Sequence, residues 1–156
     1  MNDLQPLFFD QLSRFQRLYA KSLSSRLTPY GVQPGYLTIL SRLWERDGIT
    51  QKELKATLDI EQATLSNTLK RMERDGLVEQ KRTKEDRRRH HITLTDHGRS
   101  IQSTVTAAID DLRSSVNQGL TINDRRYFKR IMRQMTEKLE EDQMESIVVL
   151  LDEVVD

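Results

Sequence analysis

The sequence predicts a mainly helical α+β chain in which a small lobe of short helices and one β-hairpin is flanked by longer helices. Three observations carry that expectation. Apolar residues recur at three- and four-residue spacing toward both ends of the chain. The stretch from Thr50 to Gly98 runs through a short capped helix, a turn, a second helix and two strand-like segments. Between those segments the chain is crowded with arginine.

The elements follow in order. Leu4 to about Leu27 reads as a helix whose stripe is Phe8, Leu12, Phe15, Tyr19 and Leu23, widened by Leu7 and Leu18. Thr28-Pro29-Tyr30-Gly31 ends it. A second helix starts near Pro34, a good first-turn residue, and runs to about Asp47 with Tyr36, Leu37, Leu40, Leu43 and Trp44 on its apolar face. Thr50 and Glu53 have the spacing of a capping box, which opens a third helix with Leu54 and Leu58 inward. A fourth begins between Asp59 and Gln62, where those two residues offer another capping box, and stops at Asp75-Gly76. Leu77–Arg82 and His90–Leu94 read as the two strands of a hairpin. Thr95 caps a long fifth helix striped by Ile101, Val105, Ala108, Leu112 and Val116, with Ile109 beside it. Gly119 breaks this helix, and Thr121 with Asp124 opens a sixth carrying Phe128, Ile131, Met132, Met135 and Leu139. The tail from Asp142 fits a packed helical extension better than a strand.

Bulk properties bound the function. The chain has 156 residues, 36% hydrophobic and 31% charged, the range of a globular unit on the polar side. Its longest apolar run, Ile147 to Leu151, is far too short to cross a bilayer, and MNDLQPLFF lacks a signal-like pattern, so a cytosolic protein is expected. With no cysteine, disulfides, thiolate metal sites and cysteine redox sensing are excluded. Net charge is only +1, but it is unevenly spread. Six basic residues against two acidic ones lie between Lys81 and Arg89, whereas Glu137 to Asp156 holds eight acidic residues against Lys138.

The fourth helix has Leu65, Leu69 and Met72 on one face, with Ala63 near it. Gln62, Thr64, Ser66, Asn67, Lys70, Arg71 and Arg74 are left outward or at the flanks. Small amides and hydroxyls near its start suit base edges, and cations near its end suit phosphates. An ordinary amphipathic surface helix has a polar outer face too, so this helix alone does not decide. The hairpin tip weighs more. Lys84, Arg87, Arg88 and Arg89 gather without apolar cover, and Asp86 is placed to hold a neighbouring arginine. Concentrated positive charge on a protruding tip favours a polyanionic partner, and a narrow minor groove attracts arginine.

Together these segments resemble the MarR family of bacterial transcription regulators, over about Leu4 to Leu139. The resemblance rests on GVQPGYLTILSRL, ITQKELKATL, ATLSNTLKRMERDGLV and KRTKEDRRRHHITLTDHG. Within these stand Gly76-Leu77-Val78, the wing motif Asp86-Arg87-Arg88 and the Leu94-Thr95-Asp96-His97-Gly98 helix opening. It implies a winged helix-turn-helix lobe over 33–98, with 1–32 and 99–156 as dimerisation helices of one unit. It further implies an obligate homodimer that binds double-stranded DNA at a roughly palindromic operator, most often as a repressor relieved by a small aromatic or phenolic ligand. By motif position Arg88 is the wing-tip arginine and Asp86 its supporting carboxylate. Thr64, Ser66, Asn67 and Lys70 fall where the recognition helix meets DNA, with Gln62, Arg71, Arg87 and Arg89 beside them. No cofactor is implied. Gln33 stands where the family often has threonine, which weakens that cap.

Phe15, Tyr19 and Tyr36 are the candidate walls of an effector cleft, although stripe aromatics more often pack a core or an interface. His90, His91 and His97 raise a metal-responsive reading, but adjacent strand residues point to opposite faces and so do not easily share an ion. Phosphate contact or solvent exposure suits them better. An enzyme is the rival from another class. The sequence has no glycine-rich phosphate loop, no H-E-x-x-H and no nucleophile elbow. A winged helix that binds only protein partners is the third reading, and the arginine-rich tip argues against it.

Overall fold

The computed structural model describes residues 4–82, 84–85 and 90–152, with side chains over residues 7–145 of these. It divides into two compact units, residues 1–113 and 114–156.

The first unit begins with α1 (Leu4–Leu27). A 3₁₀ turn (Thr28–Tyr30) and a second one (Pro34–Tyr36) lead into α2 (Leu37–Glu45). Then come β1 (Ile49–Thr50), α3 (Gln51–Ala56), α4 (Gln62–Arg74), β2 (Val78–Arg82), β3 (His90–Leu94), α5 (Asp96–Ser100) and most of α6 (Gln102–Asn117). The sheet is antiparallel in the order β1-β3-β2. Its register pairs Val78 with Leu94 and Arg82 with His90, while Ile49 and Thr50 pair with Ile92 and His91.

One apolar cluster holds this unit together. Leu23 and Leu27 of α1, Tyr36, Ile39, Leu40 and Leu43 around α2, Leu54, and Leu65, Leu69 and Met72 of α4 are buried with Ile92, Val105 and Leu112. Burial of this kind contributes roughly 25 cal/mol per Å² of apolar surface and is the main force fixing the helices. The inward face of α2 includes Ile39, which the sequence reading left out, whereas Leu37 and Trp44 pack only partly.

Two helices differ from expectation. The α2 region starts with a 3₁₀ turn in which the Tyr36 N–H donates to the Gln33 carbonyl and extended Gln33 makes no side-chain cap, and it ends at Glu45 rather than Asp47. Asp47 is drawn away by the sheet: its Oδ1 accepts from the Leu94 N–H and its Oδ2 from Arg99. The expected fifth helix is two segments, α5 and α6, meeting at Ile101. Ser100 Oγ donates to the His97 carbonyl that also takes the Ile101 N–H, and such back-bonding bends helices.

In the second unit α6 ends and α7 (Ile122–Asp152) forms a continuous 31-residue helix, so the tail is helical as far as Asp152 and not a separate element. Thr121 and Asp124 cap it reciprocally: the Thr121 N–H donates to Asp124 Oδ2 and the Asp124 N–H to Thr121 Oγ1. The Thr121 hydroxyl first, then its N–H, both donating to Asp124 Oδ2, hold the Asp124 carboxyl below the usual range. Among the described residues no helix is long and apolar enough to cross a membrane.

Where α4 ends, Gly76 adopts φ 76°, a left-handed conformation that disfavours residues with a Cβ. Leu77 then passes against α5. A Cβ on Gly98 would stand 2.2 Å from the Leu77 carbonyl oxygen, a backbone atom with no rotamer to yield. Gly98→Ala is therefore expected to destabilise the protein by about 3 kcal/mol, at the upper end for overpacking. A urea melt compared with the exposed-site control Gly35→Ala checks this, and equal midpoints would disprove the close approach.

Candidate nucleic-acid interface

The candidate site is built on α3, α4 and the hairpin. The Thr50–Glu53 box forms as the spacing predicts. Glu53 N–H donates to Thr50 Oγ1, and Thr50 N–H donates to Glu53 Oε2 at 2.8 Å. The Thr50 N–H, then its hydroxyl, hold the Glu53 carboxyl below the usual range, with a smaller contribution from Arg46. This starts a six-residue helix that would be marginal alone and anchors it with buried Leu54.

The start of α4 is less local. Glu61, not Asp59, is its N-cap residue, and no side chain caps it, so the Asp59–Gln62 box does not form. What joins α3 to α4 instead is a bond from Gln51 Nε2 to Ser66 Oγ at 2.7 Å, between residues fifteen apart in sequence. Sequence periodicity carries no signal for such a pair.

The outer surface of α4 is polar and graded. Leu65, Thr68, Leu69 and Met72 are buried. Thr68 was not on the expected inner face; it gains entry because its hydroxyl donates to the Thr64 carbonyl at 2.8 Å. Ala63, expected near that face, is exposed. Gln62, Thr64, Asn67, Lys70, Arg71 and Arg74 are exposed, and Ser66 is half-buried. Ala63, Asn67, Lys70 and Arg74 follow helical spacing and form one ridge. Arg71 Nη2 donates to Thr68 Oγ1 at 3.2 Å, and Arg74 Nε donates to Asp75 Oδ1 at 3.0 Å. Neither Asn67 nor Lys70 has a side-chain partner among the described residues.

The far end of α4 is pinned to α2. Tyr36 is fully buried, and its hydroxyl donates to Asp75 Oδ2 at 2.6 Å. Burial first, then this bond and the Asp75 charge, push the Tyr36 pKa up to about 12. The Tyr36 and Arg74 bonds in turn hold the Asp75 carboxyl below its ordinary value. Tyr36 therefore belongs to the core and not to the wall of an open cleft. Phe15 is half-exposed and stacks on Tyr19, with ring centroids 5.9 Å apart.

On the hairpin side, Lys81, Arg82, Lys84 and Glu85 are exposed, and Lys81 pairs with Glu79 at 3.0 Å. Asp86, Arg87, Arg88 and Arg89 lie outside the described residues. His91 Nδ1 sits 3.1 Å from the Gly48 carbonyl, and His97 Nε2 sits 3.3 Å from that of Tyr30. Among the described residues no three His, Asp or Glu side chains are grouped as a metal site. A cleft of about 570 Å³ lies where the hairpin meets the two helices, lined by Thr50, Gln51, Gln62, His90 and His91 among others.

Comparison with known proteins agrees with this geometry. Residues 33–90 match the model of the MarR family. The chain is 35% identical over 114 residues to the HTH-type transcriptional regulator TtmR of Methylorubrum extorquens (strain PA1), covering 72% of this chain and 54% of that protein. It is 43% identical over 65 residues to an organic hydroperoxide resistance transcriptional regulator of Bacillus subtilis (strain 168), covering 42% and 44% of the two chains. The chain thus spans about half the length of these relatives. Among solved structures, reduced AbfR bound to DNA superposes with a TM-score of 0.68 at 29% identity, over 90% of this chain and 98% of that one; AbfR is a protein of Staphylococcus epidermidis. A MarR-family regulator from Listeria monocytogenes in complex with DNA shares the fold at 19% identity and a TM-score of 0.67, over 86% and 89%.

The raised Tyr36 pKa has a measurable consequence. Between pH 10 and about 12 the unfolded chain releases this proton while the folded chain keeps it, so stability falls as pH rises through that window. Wild-type protein should be more stable than Tyr36→Phe below pH 10, and roughly 2–3 kcal/mol of that advantage should vanish by pH 12. Urea melts of both proteins across this range check it; a constant difference would refute the buried bond.

Proposed function

This chain belongs to the MarR family, and from that premise we propose that it is a sequence-specific DNA-binding transcription regulator, a repressor relieved by a small ligand. The observation that carries this reading is α4. Its 13 residues span about 20 Å, enough to lie in a major groove; Ser66 in its second turn is fastened to α3, and Asp75 at its far end to Tyr36 ahead of α2. Asn67 and Lys70 stand on its outer ridge with no protein partner among the described residues. On this proposal Thr64, Ser66 and Asn67 read base edges, while Lys70, Arg71 and Gln62 meet backbone or groove. The sequence-level roles of Asp86, Arg87, Arg88 and Arg89 at a flanking minor groove are part of the proposal. A DNA partner makes a cytoplasmic location the natural one.

The homodimer is supported by apolar surface that a single copy leaves in water. Leu7, Phe8, Phe15 and Leu18 of α1 are exposed, and so are Tyr127, Phe128, Ile131 and Leu139 of α7. Helix α7 is also split by charge: Arg125, Arg126, Lys129, Arg130 and Arg133 precede Glu137, Glu140, Glu141, Asp142 and Glu145. Two copies packed antiparallel would set each basic half against an acidic half. Two-fold symmetry then asks for half-sites ~34–36 Å apart.

For the effector, a cleft of about 630 Å³ lined by Ser24, Thr28, Val32, Gln33, Pro34 and Asp75 supports a route of control. A phenol bound there would compete for the carboxylate that holds the end of α4. The protein-binding alternative has no comparable support.

Selection of bound duplexes from a random library tests the proposal directly, with a palindromic consensus expected and no enrichment overturning it. On that consensus, fluorescence anisotropy should give a steep loss of affinity with salt. Asn67→Ala should cost about 1–3 kcal/mol on the consensus and little on unrelated DNA, whereas Lys70→Ala should weaken both alike and make the salt slope shallower. Equal losses for Asn67→Ala on both duplexes would remove it as a base reader.

A further inference from the structure

We propose that Gln51 is a positioning residue for base reading: by donating to the Ser66 hydroxyl it turns that hydroxyl into an outward hydrogen-bond donor, selective for base edges that present an acceptor. The inference rests on the DNA-binding reading above and adds to it a residue on α3, outside the recognition helix.

Hydrogen-bond accounting leads there. A serine hydroxyl has one proton to give and two lone pairs to accept with. Inside a helix its usual partner is the carbonyl four residues back. Thr68 follows that habit, donating to Thr64 O at 2.8 Å. Ser66 does not. Its Oγ accepts from Gln51 Nε2 at 2.7 Å, and its own proton has no acceptor among the described residues. One lone pair is thereby occupied from the α3 side.

Placement makes the freed proton useful. Gln51 and Ser66 are both half-buried, so the bond lies at the rim of the α3–α4 joint rather than in the core. Ser66 shares its helical face with Gln62 and Lys70, four residues to either side, both exposed. Gln62 and Gln51 line the same open cleft with Thr50, His90 and His91. In a major groove the acceptors facing such a donor are guanine O6 and N7, adenine N7 and thymine O4, while cytosine N4 and adenine N6 are donors. A free serine would accept or donate indifferently. One with a lone pair already taken and its proton unclaimed favours the acceptor edges.

The test compares full-length wild type, Gln51→Ala, Ser66→Ala, the double variant and Gln51→Glu. Each is put through selection from a random duplex library, then anisotropy on the wild-type consensus and on every single-base substitution of it. Gln51→Ala and Ser66→Ala should flatten preference at the same base pair of each half-site, by about 5- to 10-fold, the size of one hydrogen bond. Affinity for unrelated DNA should stay within about twofold, and the double variant should be no flatter than Ser66→Ala alone. Gln51→Glu supplies the discriminating result. A carboxylate can only accept, so it takes the Ser66 proton, and preference at that base pair should move toward base donors. This is read as a ratio on one protein, so general repulsion of DNA cancels. The proposal is overturned if Gln51→Ala keeps the preference that Ser66→Ala loses, if Ser66→Ala changes no position, or if Gln51→Ala loosens every position alike, as a merely structural role would. A wild-type protein that enriches no sequence overturns the DNA reading itself, a distinct outcome.

Discussion

The junction between the end of α4 and the start of α5 is the constraint on which the lobe depends. Thr95 donates its N–H to the Leu77 carbonyl and its hydroxyl to that of Gly76, and its Oγ1 caps Gly98. Gly98, lacking a Cβ, lets α5 close onto Leu77. These contacts bring together two points of the chain about twenty residues apart. The two strands that lie between them, β2 and β3, must then run in antiparallel register. The pairing of Val78 with Leu94 is the first rung this closure dictates. Because a slip of one residue would turn Ile92 and Leu94 out of the core, the register is strongly specified.

From that junction the constraint spreads in two directions. Trp44 Nε1 donates to the Gly98 carbonyl, and Asp47 accepts from Leu94 and Arg99, so the end of α2 is bound to both β3 and α5. Tyr36, just ahead of α2, reaches Asp75 at the end of α4. Helix α4 is thus held at its far end by a chain of polar contacts running through α2 and back to the junction. Side-chain hydrogen bonds are individually modest, about 1 kcal/mol net, but a buried one aimed at a carboxylate is worth more and is directional. Apolar burial keeps α4 in the lobe; these bonds fix how it is turned there.

This division explains what could be read from the sequence. The Thr50–Glu53 and Thr121–Asp124 boxes, the stop at Gly76 and the two strands were legible because each depends on residues a few positions apart. The helix-turn-helix and hairpin followed from those signals and from apolar spacing. What escaped depends on distant partners. Asp47 reads as a helix end until β3 is beside it. Asp59 and Gln62 have capping-box spacing, yet α4 starts from Glu61 with no side-chain cap, and its hold on α3 comes from Gln51 bonding to Ser66, fifteen residues away. Thr68 joins the buried face although it is polar, because its hydroxyl is satisfied within its own helix. Tyr36 sits on an apolar stripe in any reading, and only its fully buried hydroxyl distinguishes a core pin from a cleft wall.

The same logic separates the cations of the candidate interface. Arg71 and Arg74 each donate to a neighbour, Thr68 and Asp75, and so present guanidinium groups in a fixed place, while Lys70 lies between them with a flexible stem and no protein partner among the described residues. A fixed fork favours one phosphate geometry, and a point charge on a long stem tolerates several. Arg74 also shares Asp75 with Tyr36, so a phosphate drawing Arg74 outward would act on the carboxylate that holds the end of α4. A cationic group and the bond that orients the helix thereby meet at one residue. With a net charge of only +1 the chain as a whole exerts little pull on a polyanion, so any such pull would have to come from a local arrangement of this kind.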